Sequence, residues 1–156
     1  MPIRIVSGGQ TGADRAGWDV ALELGLEIGG WVPKGRGAED GPIPARYTGL
    51  RESDSTDPAV RTALNVRDSD ATLVVSHGPL DRGSLLTFRE ANRIGRPVLH
   101  LDLAALEHAG AVAMLREWLR TVEPATLNVA GPRASHDPGI GAAVAALLRA
   151  ALAQPG

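Results

Sequence analysis

Ala71-Thr72-Leu73-Val74-Val75-Ser76 decides the fold. Its centre is apolar on consecutive residues and does not alternate with polar ones, so a strand here is covered on both faces, as in a parallel sheet sandwiched by helices. The residues that follow, His77-Gly78-Pro79-Leu80-Asp81-Arg82-Gly83, form a polar, glycine-bearing loop, and Ser84–Ile94 reads as a helix closed by Gly95. Pro97–Leu101 is then the next strand.

The same alternation extends in both directions. Upstream, Ile3–Ser7 is a strand. Ala13, Ala16, Gly17, Val20, Ala21 and Leu24 repeat at helical spacing before Gly25, and Ile28–Val32 is a second strand. Pro33 to Leu50 is a long irregular stretch rich in proline and glycine, the kind that in a compact domain is functional or disordered. Asp57-Pro58 is an N-cap with proline in the first helical position, opening a helix to about Arg67. Downstream, a helix runs from about Glu107 to Val122 with Val112, Leu115 and Leu119 inward, and Thr126–Val129 is a last strand. Ile140, Val144, Leu147 and Leu148 mark a closing helix. Repeated β–α units of this kind predict one doubly wound, Rossmann-like α/β domain over residues 1–153 with a mainly parallel sheet, and a frayed tail at 154–156.

Composition narrows the function. The chain has 156 residues, 44% hydrophobic and 22% charged, with a formal net charge of −2, so it is expected to be globular and to lack a global pull toward nucleic acid or an anionic membrane. No apolar run reaches membrane-spanning length, and Met1-Pro2-Ile3-Arg4 is unlike a signal peptide, so a cytoplasmic protein is expected. Cysteine is absent, which excludes disulfides, thiolate catalysis and thiolate-held metals. Fifteen of the sixteen basic residues are arginine; the exception, Lys34, lies in the long irregular stretch.

In such folds ligands bind beyond the carboxyl ends of the strands. Three strand-end loops there carry glycine and polar residues. Ser7-Gly8-Gly9-Gln10-Thr11-Gly12-Ala13-Asp14 opens the first helix, where backbone N–H groups and the helix dipole suit an anion, although a tight strand–helix turn would also explain its glycines. Ser76 to Ser84, with Thr87 a turn later, offers a second cradle built on Gly83, Ser84 and Thr87; plain N-capping by Ser84 is the alternative. Ala130-Gly131-Pro132-Arg133-Ala134-Ser135-His136-Asp137 is the third. The long stretch adds Lys34, Arg36, Glu39 and Asp40, a mixed set suited to a ligand with a phosphate at one end and ring N–H donors at the other. Trp31 fits a core or subunit contact better than a ring-stacking role, and Asp68 and Asp70 fit a helix end and a strand brace better than a metal. No metal or catalytic motif is recognised: there is no HExxH, no GxSxG and no paired-carboxylate pattern.

Taken together, Gly8-Gly9-Gln10-Thr11-Gly12-Ala13-Asp14, Trp31-Val32-Pro33-Lys34-Gly35-Arg36, Ala38 to Pro44 with Arg46-Tyr47, Arg61-Thr62 with Asn65 to Thr72, and Asn128 to Arg133 resemble the molybdenum carrier family. The resemblance spans roughly residues 3–150. It implies an oligomer that holds molybdenum cofactor as cargo and hands it on without catalysis; a small Rossmann-like domain with apolar helix faces is expected to self-associate as a dimer or tetramer. Molybdoenzymes or cofactor-synthesis proteins are the partners it implies, with no nucleic acid and no membrane. Gly8, Gly9, Gln10, Thr11, Gly12, Asp14, Lys34, Arg36, Glu39, Asp40, Ser76, Gly83, Ser84 and Thr87 are the expected cofactor-binding residues. The family is also similar to LONELY GUY-type phosphoribohydrolases, so the alternative ligand is a nucleoside monophosphate. Those enzymes carry PGGxGTxxE with a catalytic glutamate; matched to Gly83-Ser84-Leu85-Leu86-Thr87, that position is Thr87, and no catalytic residue is expected.

Overall fold

The computed structural model describes residues 2–153, and the expected frayed tail at 154–156 lies outside them. In chain order the elements are β1 (Arg4–Val6), α1 (Ala13–Glu23), β2 (Ile28–Val32), β3 (Gly37–Ala38), β4 (Gly41–Pro42), β5 (Leu50–Glu52), α2 (Pro58–Arg67), β6 (Ala71–Ser76), α3 (Arg82–Ile94), β7 (Val98–Asp102), α4 (His108–Val122), β8 (Thr126–Ala130) and α5 (Ile140–Leu152). Six strands form one sheet in the order β5-β2-β1-β8-β6-β7, and every neighbouring pair is parallel. The Ala71–Ser76 strand, buried at every residue, lies near the centre as its composition requires.

Helices cover both faces. α5 packs against α1 and α4 on one side, and α2 packs against α3 on the other. Under α1, α4 and α5 lies the main core, in which Ile5, Leu73, Val75, Leu101, Leu127 and Val129 from the sheet meet Val20, Leu115, Val144 and Leu148. Leu119, expected inward with Val112 and Leu115, is only partly buried at its edge.

Local signals place most boundaries. The Asp57 carboxylate accepts from Ala59 N–H at 2.9 Å with Pro58 behind it, and Gly95 closes α3 in the left-handed region at φ 75°. Asp68 and Asp70 act as braces: Asp68 caps α2 and accepts from Trp31 Nε1 at 2.8 Å, and Asp70 accepts from Thr126 N–H at 2.8 Å. Arg67 beside Asp68 holds its carboxyl down at about 2.

Two expectations need correction. Ser84 does not cap α3: the helix starts at Arg82, so Ser84 is already inside its first turn, and the N-cap Asp81 makes no side-chain cap bond. Nor is Pro33–Leu50 structureless. Gly37–Ala38 and Gly41–Pro42 form a small antiparallel hairpin, and Leu50–Glu52 pairs with β2 as an edge strand of the main sheet. Ile43 and Tyr47 from this stretch plug a second apolar cluster with Trp18 and Val32, which anchors it.

Candidate functional site

The chain winds outward from β1 to β2 and β5, then outward in the other direction from β6 to β7, and β8 finally fills the gap between β1 and β6. The reversal opens a crevice at the carboxyl ends of β1, β8 and β6, where the three glycine-bearing loops meet. Hydrogen bonds tie them together: Ala13 N–H donates to Pro132 O at 3.2 Å, and Ala134 N–H to Thr11 Oγ1 at 3.0 Å. His77 Nδ1 and Asp137 Oδ2 lie 2.7 Å apart, and His136 Nε2 and Asp81 Oδ2 3.2 Å.

Between α2 and α3 this crevice deepens into a cleft of about 250 Å³. Gln10 and Asp14 wall it from the first loop, Arg61 and Thr62 from α2, Gly83, Ser84 and Thr87 from α3, and Arg133 and His136 from the third loop. A second cleft of about 220 Å³ adjoins it, shares Asp81, Ser84, Pro132 and His136 with it, and adds Ser76, His77 and Asp137. Each alone falls below the roughly 300–1,000 Å³ of a typical small-molecule site. Joined end to end they make an elongated site.

Arg61 and Asp14 dominate the first cleft. Asp14 is only 5% exposed. Its Oδ2 accepts from Gln10 N–H at 3.1 Å and stands 4.0 Å from Arg61 Nη2. Burial raises its carboxyl to about 6, against the opposing pull of Arg61. Arg61 lies across Gly8, where a Cβ would come within 2.5 Å of its Nε, so glycine is needed to admit the guanidinium. Arg61 Nη1 donates to Thr62 Oγ1, whereas Nε is buried without an acceptor. A part-buried cation with one N–H left unpaired, at the wall of an open cleft, suits an incoming anion.

The two expected cradles differ. In the first loop three backbone donors are already used. Gly9 N–H donates to Ser7 Oγ, Gln10 N–H to Asp14, and Thr11 N–H to Gln10 Oε1 at 3.1 Å. Gly12, at φ 80°, packs so tightly that a Cβ would meet Pro132 O at 2.5 Å. The start of α3 is open instead. No side chain caps its first turn, whose N–H groups have no partner within the helix, and Arg82 at its start is held at φ 48°, a left-handed conformation costly for a residue with a Cβ. Thr87 Oγ1 donates to Gly83 O at 2.8 Å, and His100 Nε2 lies 2.7 Å from Ser76 Oγ. Burial lowers the pKa of His100.

The residues of the long stretch do not line either cleft. Glu39 is a clasp: it accepts from Thr11 Oγ1 at 2.6 Å and from Ser135 N–H at 3.0 Å and Oγ at 2.5 Å, contacts that hold its carboxyl low. Asp40 is paired bidentately with Arg15 at 2.5 and 2.7 Å, which lowers it too. Arg36 Nη2 donates to the carbonyls of Ile43, Pro44 and Tyr47, and Lys34 is exposed, its backbone N–H bonded to Ser55 O. Trp31 sits at the β2–β5 edge with the Arg51 guanidinium 4.8 Å from its ring centroid.

Sequence reasoning singled out Gln10, Asp14, Gly83, Ser84 and Thr87 of the first cleft and Ser76 of the second, but gave Arg61 no role in the site. A signal was present. Arg61, Thr62 and Asn65 turn inward on α2, where an ordinary amphipathic helix would bury apolar residues.

A parallel doubly wound sheet with its crevice at the carboxyl ends of the central strands defines a Rossmann-like α/β domain. The chain belongs to cpYpsA, the circularly permutated YpsA SLOG family, which it matches over residues 5–152. It is similar to the crystal structure of a protein named "Putative molybdenum carrier protein" from Syntrophus aciditrophicus SB, with 45% identity and a TM-score of 0.95 over 97% of this chain and 96% of that one. No curated protein matches it. Among the described residues no helix is long and apolar enough to cross a membrane, and no group of three or more His, Asp or Glu side chains is placed to hold a metal ion.

Proposed function

We propose that the protein binds molybdenum cofactor and carries it without transforming it. The observation that carries this reading is the facing pair of anion-seeking groups in one cleft: the under-satisfied Arg61 guanidinium and the uncapped first turn of α3 at Gly83 and Ser84. The similarity to a protein named "Putative molybdenum carrier protein" supports a molybdenum-related cargo. In this reading the terminal phosphate sits between Arg61, Gly83 and Ser84, with Gln10, Asp14, Thr87 and Arg133 around it, and the pterin extends into the second cleft past Ser76 and His136. Gly8, Gly9, Thr11 and Gly12 shape the wall, while Arg36, Glu39 and Asp40 brace the loops behind it. With no cysteine in the chain, cargo held by hydrogen bonds and charge is free to leave.

The test is equilibrium binding of freshly released cofactor under anaerobic conditions, with AMP as competitor. Saturable binding at micromolar concentrations or below that resists AMP is the expected result. No binding, or ready displacement by AMP, overturns it. Asp14 favours a second reading, a nucleoside-monophosphate hydrolase, because a buried carboxyl titrating at about 6 suits a general acid or base. Release of ribose 5-phosphate from AMP at high protein concentration would select that reading.

A further inference from the structure

We infer that Asp14 makes the cleft between α2 and α3 selective for an oxyanion that keeps a proton at neutral pH, hydrogen phosphate, and against fully ionised oxyanions such as sulfate and molybdate. The inference rests on the reading that this cleft receives the anionic end of the cargo.

The geometry sets the condition. Asp14 Oδ2 stands 4.0 Å from Arg61 Nη2, just beyond hydrogen-bonding distance, and both side chains wall the cleft. An anion seated on the Arg61 guanidinium therefore comes within contact range of the carboxylate. Two negative oxygens at such a distance in a buried site cannot both remain ionised, so one proton must lie between them.

Inorganic phosphate brings that proton itself, because as hydrogen phosphate it still carries one at neutral pH; a phosphomonoester, whose second ionisation falls at about 6, brings one only as the pH falls toward the value where burial also places Asp14. The proton is then shared at little cost. Sulfate and molybdate present only acceptor oxygens at neutral pH, and Asp14 must first take a proton from solvent.

The surrounding charges relieve this only in part, Arg61 and Arg15 both drawing the Asp14 carboxyl down against the larger effect of burial. Arg15, on the same helix, is committed to Gly9 O and Asp40. Across the cleft, Arg82 and Asp81 at the start of α3 oppose each other in sign. Arg133 and His136 follow β8, where His136 pairs with Asp81. Arg61 alone directly faces the Asp14 carboxylate among the cations lining the cleft.

Titration calorimetry of the full chain with inorganic phosphate, sulfate and molybdate at pH 6, 7 and 8 tests the inference. At pH 7 and 8 phosphate is expected to bind at least about tenfold more tightly than either other ion, the worth of one charge-assisted hydrogen bond. The gap should narrow toward pH 6 as Asp14 protonates. Asp14→Asn, whose amide donates to any oxyanion, should bind sulfate better than the parent and close the gap at every pH. Equal affinity for phosphate and sulfate in the parent, undetectable phosphate binding, or a preference that survives in Asp14→Asn overturns it. If Asp14→Asn does not fold, the pH dependence of the parent decides alone. Cofactor binding without phosphate selectivity defeats this inference and spares the carrier reading; phosphate selectivity without cofactor binding does the reverse.

Discussion

On one face of the sheet, Ile5, Leu73, Val75, Leu101, Leu127 and Val129 are fully buried beneath α1, α4 and α5. On the other, alternate residues of the same strands present Val6, Thr72, Val74, Ser76, His100 and Asn128 to α2 and α3. The helices match their sides. α5 buries Ile140, Val144, Leu147 and Leu148, whereas α2 buries Thr62, Asn65 and Val66, and α3 buries Ser84, Thr87 and Ala91. Hydroxyls and amides on the second side bond locally, as Asn128 Nδ2 does to Thr72 Oγ1 at 3.3 Å and Asn65 Nδ2 to Trp31 O at 2.9 Å. The first side supplies stability. The second carries the two adjoining clefts lined by polar side chains, while a shallower cleft of about 420 Å³ lies between α1 and α5 on the first.

Substitutions on each side sharpen the contrast. Leu127→Ala, in the centre of the apolar face, should cost about 2–5 kcal/mol in denaturant unfolding, with no direct effect on residues of the cleft. Asp14→Asn should act oppositely and with pH. The Asp14 carboxyl is raised to about 6 in the fold from the ordinary 3.8, so the folded state binds the extra proton. Its stabilising contribution is full below about pH 4 and is lost as pH rises through 6. Asp14→Asn therefore removes a penalty at pH 8, worth up to about 3 kcal/mol for two pKa units, and leaves pH 4 little changed. A parent and variant with parallel stability–pH curves would refute this.

Arg61→Met should lower phosphate affinity by at least about tenfold by removing the charge-assisted bonds, while the protein still melts cooperatively. Undiminished phosphate binding in that variant would take Arg61 out of the site. Thr87→Val keeps the shape and deletes one hydroxyl already bonded to Gly83 O. It should change stability by no more than about 1 kcal/mol and weaken phosphate binding modestly. Lys34→Ala should leave phosphate affinity unchanged in the same calorimetric assay, since Lys34 lines neither cleft.

What was legible in the sequence follows the same division. The apolar face announces itself locally: consecutive Leu73-Val74-Val75, the spacing of Ile140, Val144, Leu147 and Leu148, and the stop at Gly95 are all short-range patterns. Leu50-Arg51-Glu52 was not legible as a strand because it has one apolar residue and owes its state to pairing with Gly30–Val32. The charges of the long stretch were visible, but their partners were not. Glu39 meets Thr11 and Ser135, and Asp40 meets Arg15, across separations of 28, 96 and 25 residues that no local pattern encodes. Arg61 was hidden for a similar reason. An arginine in a helix is ordinarily solvated, and only the absence of a side chain at Gly8 lets this one turn inward.

The position of β8 has a consequence for how the molecule is made. It is the last strand in the chain, yet it separates β1 from β6 and pairs with both. Until it emerges from the ribosome, the two halves of the sheet have no common edge, and the long-range pairing that joins them is an intrinsically slow step. The loop after β8 also supplies Arg133 and His136 to the cleft. The cleft is therefore complete only once the chain has been made past His136.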